Sequence, residues 1–406
     1  MSTYNDASLI YYPSGYKAGT AYSLKPTDGS GDLTFTRAST ATRVNESGLI
    51  ESVAANVPRL DNSQGGCSSL LLEPQRTNLL PHSRGFNSWL IPPSVTTNST
   101  TSKYGDSVFS YYGATTKTNI NIASNVDYTF SVLAKKSNWD FIVIRTSDYD
   151  ATANARTWFN LTTGTVGSTN PIGYHYNTKI EDWGDGWYLC SFSFKTVTDL
   201  IGSYSISGAA TDGSITVGTT NIEDIFYDAA QVEQGSYSTS RINTSGTAVT
   251  RVADSASKSG ISSLINSEEG SFYVEAKALF NGGTFRSFSL TDGTEPNRIT
   301  FNWSSNASVF LLFVKLGGTL IVNNSTSAFA QTDNNKILLK WGGGTYKLFI
   351  NGVLKTTLTG LAMPSASLFN RLTFDASYTP FEGRVQGVMI FPTQVSDTDA
   401  IALTTL

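Results

Sequence analysis

The stretch EDWGDGWYLCSFSF (181–194) gathers residue types from which a binding site could be made: two indoles, Trp183 and Trp187, and the carboxylates Asp182 and Asp185 around a Gly-Asp-Gly corner. An exposed aromatic ring can stack on the apolar face of a sugar while neighbouring polar groups bond its hydroxyls. Carboxylates crowded in loops can instead hold calcium, which takes about six to eight oxygen ligands. A structural reading competes with both. Gly-Asp-Gly is a tight turn, and Trp187 opens a run in which Trp187, Leu189, Ser191 and Ser193 face one way and Tyr188, Cys190, Phe192 and Phe194 the other, the period of a half-buried strand. Trp187 is therefore assigned to packing, as are Trp158 and Trp341 in similar strand-and-turn settings. The glycan-binding candidates are Trp183, which precedes the turn, Tyr174 and Tyr176 on one face of GYHYN, Trp139 between Asn138 and Asp140, and Trp303 in the last third. Trp183, Tyr174 and Tyr176 are expected to form one platform. Asp148 and Asp150 of SDYDAT, with Asp182 and Asp185, are the candidates for a structural calcium, although Asp in a β-turn already has a local reason to be there.

Catalysis finds less support. A glycosidase needs two carboxyls flanking the scissile bond, and the run SFYVEAKALF (271–280) offers Glu275 with Tyr273 and Lys277 as its same-face neighbours. His82 and His175, the two histidines, lie in different regions, and with Cys67 and Cys190 they lack the close pairs of a zinc site. WGGGTYK (341–347) reads as a glycine-rich hairpin turn and not as a phosphate cradle. The expectation is a non-enzymatic protein with no cofactor beyond that calcium.

The elements that must position these residues are short alternating runs, among them YTFSVLAKK (128–136), FIVIRTS (141–147) and YKLFINGVLKTTL (346–358), the last a hairpin turning at Asn351-Gly352. Ser396, followed by Asp397 and Asp399, reads as the cap of one short helix over about 397–405. Charged residues are 15% of the 406, below the ~25% usual for globular chains, while 39% is hydrophobic and 12% aromatic, a balance that leans to β structure. A net charge of −4 without a basic stretch argues against nucleic acid. No apolar run is long enough to span a bilayer, the start MSTYNDASLIYYPSG lacks a secretory pattern, and two cysteines so far apart suit a reducing compartment. The fold class expected is all-β: tandem β-sandwich or jelly-roll domains over 82–245 and 246–406, preceded by an irregular segment, 1–81.

The stretches FTRASTATRVNESGLIESVAANVPRLD and CSSLLLEPQRTNLL (within 35–80) resemble a segment found ahead of sandwich modules in bacteriophage virion proteins of tail or fibre type. IEDWGDGWYLCSFSF and YDAAQVEQGSYSTSRINTSGTAVTRVAD (227–254) are similar to the carbohydrate-binding-module-like jelly rolls of those proteins, and Leu189 departs from them where an Arg is common. KILLKWGGGTYKLFINGVLKTT and RVQGVMIFPTQVSDTDAIALTTL resemble a concanavalin A-like or laminin G-like sandwich. The resemblance implies a virion structural protein, made in the host cytoplasm, in which residues 1–81 dock on other virion proteins or wrap a neighbouring subunit of a homotrimer, and the sandwiches attach to a host-surface glycan. It implies no nucleic-acid partner and no membrane insertion. The alternatives are a capsid-decorating (head fibre) or tail adaptor protein whose sandwiches only pack, and a surface-polysaccharide depolymerase.

Overall fold

A computed structural model describes all residues except 1–2, 18, 91–93, 113–115, 148–154, 198–199, 215–223, 328 and 377–378. The protein is all-β, with antiparallel sheets throughout. The chain divides into two compact units: residues 1–38, 53–74 and 252–406 form one, and residues 39–52 and 75–251 the other.

In the first unit, two sheets enclose a core in which Phe272, Phe288, Phe301, Trp303, Leu339 and Trp341 are buried. Alternation decides which side chains enter it. In Arg298–Trp303, Ile299, Phe301 and Trp303 point inward, and Arg298, Thr300 and Asn302 outward. The hairpin turns at Asn351-Gly352, both at positive φ (51° and 77°), as the type I′ geometry of a two-residue loop requires. The closing helix, Asp397–Thr404, is capped by Ser396, whose hydroxyl accepts from the Asp399 N–H at 3.0 Å.

The expectation that residues 1–81 are irregular and stand apart is corrected here. Leu9–Tyr11 and Ser69–Leu72 pair along Gly383–Phe391, Arg59–Asp61 extends that sheet, and Thr34–Thr36 forms the edge of the other. These strands are three or four residues long, too short to show a period in the sequence. A buried charge cluster ties together the chain at Arg37, Arg59 and Glu73, beside three of these strands. Asp254 accepts from Arg37 at 3.1 Å and from Arg59; Arg59 also donates to Glu73 at 2.6 Å. The Glu73 N–H donates to Asp254 at 2.8 Å. Removing one member of such a cluster strands its buried partners and costs about 3–5 kcal/mol.

The second unit is also a two-sheet sandwich. A six-stranded sheet centres on Asp224–Gln234 and Asp127–Lys136, with Trp187–Lys195 next outward, and a five-stranded sheet runs in the order Thr116–Ile122, Leu200–Ala209, Phe141–Ser147, Ala155–Asn160, Thr165–Asn170. Between them lie Phe130, Ile142, Ile144, Phe159, Phe192, Phe194, Tyr204 and Ile206. Trp187–Lys195 is not half-buried as its pattern suggests. Its Cys190 face meets this core, but its Trp187 and Leu189 face is covered by Val44, Ile50, Val108 and Phe226. Residues distant in sequence supply that second cover, so the strand's own period does not report it.

Candidate functional site

The Gly-Asp-Gly corner is a tight turn. Gly184, Asp185 and Gly186 are all left-handed, with φ of 76°, 57° and 76°. The Trp183 N–H donates to the Trp187 carbonyl at 2.9 Å and the Trp187 N–H to the Gly184 carbonyl at 3.0 Å. Trp187 is fully buried, with its indole N–H on the Thr101 carbonyl at 3.0 Å. Trp183 is half-buried against the same apolar cluster.

The expected platform of Trp183, Tyr174 and Tyr176 does not assemble. Trp183 and Tyr174 lie beyond opposite ends of His175–Asp182, which at about 3.3 Å per residue is roughly 26 Å of strand. Tyr174 is 36% exposed, while Tyr176 is half-buried with its hydroxyl donating to Asp127. Burial first, and then Asp127, hold the Tyr176 phenol well above its ordinary value. Trp139 and Trp303 are corrected outright. Trp139 is buried and lies so close over Gly208 that a Cβ there would fall 1.7 Å from Cε3. Trp303 is in the first unit's core, ringed by Phe288, Phe310, Phe329 and Phe381 at centroid distances of 5.0–5.7 Å. Neither ring can meet a ligand.

The acidic candidates also have local work. Asp182 accepts from the Gly184 N–H at 2.8 Å, and Asp185 accepts from Lys103 at 3.3 Å. Asp148 and Asp150 lie outside the described residues. Among the described residues no group of His, Cys, Asp or Glu is arranged to hold a metal. Glu275 accepts from Tyr273 at 3.1 Å and from Asn334 at 2.8 Å. His175 is sandwiched in the second unit's interior, stacked on Phe192 at 3.7 Å, with Thr146 and Thr157 hydroxyls each 2.8 Å from a ring nitrogen. Burial lowers its pKa to about 3, so the ring is neutral.

What the fold does assemble is a polar row on the outer face of the five-stranded sheet. Ile142, Ile144, Tyr204, Ile206 and Phe159 face the core, so their neighbours in each strand face out. Register then aligns Lys117, Ser205, Arg145, Arg156 and Asn170 across all five strands. The adjacent row on one side is Asn119, Ser203 and Ser147, and on the other Ser207, Val143 and Trp158. Lys117, Arg145 and Arg156 are half-buried, and Asn119 and Asn170 exposed. No carboxylate stands among the described strand residues of this face; Asp212, from the turn after Leu200–Ala209, is taken up by the Ser168 N–H and hydroxyl, both at 2.8 Å. Burial, and then the Arg145 charge, lower the Arg156 pKa.

The outer face of the first unit carries a comparable row: Ser259, Arg371, Thr291, Arg298 and Lys315. There the opposed cations share an acid. Glu295 lies 3.4 Å from Arg298 and 3.2 Å from Lys315. Beside them Ser289, Thr291, Thr373, Arg371 and Asp375 line a polar cavity of about 30 Å³, room for roughly one water. Neither row was among the sequence candidates. The signal was present in FIVIRTS, where Arg145 alternates with Ile142 and Ile144, but pairing it with Arg156 and Lys117 requires the strand register.

No protein-family model matches the chain, and no curated protein does either. Among solved structures, the chain is similar to the CBM40 module of Ruminococcus gnavus IT-sialidase bound to alpha2,3 sialyllactose, at 20% identity over 35% of this chain and 84% of that one, with a TM-score of 0.31. It is similar to sheep galectin-11 in complex with glycerol at 14% identity over 30% of this chain and 86% of that one, TM-score 0.20. It is similar to domains LG4-5 of the mouse laminin alpha1 chain at 9% identity over 74% of this chain and 90% of that one, TM-score 0.24. At these values no residue's role is carried across.

Proposed function

We propose that the chain is a non-enzymatic structural protein of a phage virion that presents a glycan-binding sheet face to the host surface. The observation that supports glycan binding is the outer face of the five-stranded sheet, where half-buried Lys117, Arg145 and Arg156 stand with exposed Asn119 and Asn170 on rigid strands. Such groups match the hydroxyls and acidic substituents of a polysaccharide. The virion setting, docking to other virion proteins and a trimeric state rest on the resemblance of residues 35–80 alone. Burial of Trp139 and Trp303 favours a second reading for the faces they were expected to furnish, that of an adaptor whose sandwiches only pack.

Cryo-electron microscopy of the intact particle separates the readings. The attachment reading expects the Lys117–Asn170 row to face outward and the purified chain to be retained by host cells. Both sandwiches covered by capsid or tail proteins would leave the adaptor.

A further inference from the structure

In the first unit's seven-stranded sheet, Ile299, Phe301, Leu312, Val314 and Leu372 point to the core, so the residues between them face outward. Two features of that outer face serve no packing. Phe313 stands there opposite Thr300, half-buried and outside the core. The polar cavity begins on the next strand, Arg298–Trp303, and reaches Arg371–Thr373. Of the two arginines that line it, Arg298 is met by Glu295. Arg371 makes no hydrogen bond or ion pair among the described residues, and its buried Nε–H has no acceptor there. Asp375, which also lines the cavity, accepts a 3.3 Å bond from the Ser255 hydroxyl and meets no cation among the described residues. Both side chains are half-buried, and leaving a charge partly desolvated and unpaired costs the fold.

The lining decides what fits. An anion in this cavity would meet Asp375, and a cation would meet Arg371 and Arg298. A neutral hydroxyl accepts from one side and donates to the other, and the cavity is of its size. Water has that chemistry too, but Phe313 beside the cavity calls for an apolar surface on the same ligand. Hydroxyls around an apolar ring face are the chemistry of a sugar. We propose that this face of the first unit holds a neutral oligosaccharide: one sugar hydroxyl enters the cavity, accepting from Arg371 and donating to Asp375, and the apolar face of another ring lies on Phe313. Three strand spacings, about 14 Å, separate the strand of Arg371 from that of Phe313, so more than one ring is needed to span them. The site stands in the other unit from the row described above and adds to that reading.

The test uses the full chain on an array of neutral and acidic bacterial-surface polysaccharides, each as isolated and after periodate has opened its rings. The expected result is binding to neutral members that weakens at least about tenfold on periodate treatment or on Arg371→Gln, the size of a lost charge-assisted hydrogen bond, and about three- to tenfold on Phe313→Ala. Arg371→Gln should melt no lower than the parent, because the guanidinium holds nothing in the fold; a lower melting point makes it structural and overturns the proposal. Binding confined to acidic members, or unchanged by periodate, overturns the neutral class. Binding that Arg156→Gln abolishes and Arg371→Gln leaves unchanged overturns this site and leaves the five-stranded face standing. Binding to no member of the array overturns both.

Discussion

The two units put nearly the same residues on their outer sheet faces and settle the charge differently. In the first, Arg298 and Lys315 sit opposite each other with Glu295 within 3.4 Å of both, and the buried Arg37 and Arg59 converge on Asp254. In the second, Lys117, Arg145 and Arg156 share a row whose described strand residues include no acid. A cation that brings its own carboxylate serves the fold. Like charges opposed on adjacent strands cost the fold unless groups outside the strands meet them.

The largest effect that would test this contrast is at Asp254. Asp254→Asn leaves two buried guanidiniums facing a neutral amide, and the first unit should lose about 3–5 kcal/mol, measured by denaturant unfolding. A loss below about 1 kcal/mol would mean the cluster is hydrated and the contrast false. Acid should weaken the second unit by a route of its own. The folded pKa of His175, about 3, is below the unfolded value near 6.5, so its contribution is complete above pH ~6.5 and is lost as pH falls towards 3, by up to ~1.4 kcal/mol per pH unit. At pH 4.5 amide exchange around Thr146 and Thr157 should accelerate accordingly, and His175→Gln should remove that dependence. Unchanged exchange would place a proton on the ring without penalty.

Smaller effects test the faces themselves. Glu295→Gln should destabilise the first unit by about 0.2–1 kcal/mol, the range for exposed ion pairs, and a melting curve would detect it. Arg156→Gln should act in the opposite direction, stabilising the second unit by up to about 1 kcal/mol in the absence of ligand, because it removes a like-charge neighbour. If Arg156→Gln destabilises instead, the guanidinium is a structural member of the sheet and the two faces are equivalent after all.

Much of the fold was legible in particular residues. Asn351-Gly352 announced its hairpin because few other pairs accept two positive φ angles, and Ser396 with Asp397 and Asp399 announced its helix by cap and charge. Alternation in YTFSVLAKK and FIVIRTS located strands and their inward residues. Two of the aromatic site candidates, Trp139 and Trp303, are closed off by residues distant in the sequence. The turn position of Trp139 suggests exposure, yet the ring lies over Gly208, more than sixty positions on, and Trp303 is enclosed by Phe329 and Phe381. Residues 1–81 were misread because strands of three or four residues carry no period.

By itself, then, the sequence determined the class: low charge, β-branched and aromatic alternation, and turn residues whose backbone demands are local. Local demands can be read from local residues. The tertiary structure alone decided which strands are neighbours, and with them the Asp254 cluster and the Lys117–Ser205–Arg145–Arg156–Asn170 row. Register between strands far apart in the chain is a property of the packed sheet, set by the sum of its core contacts.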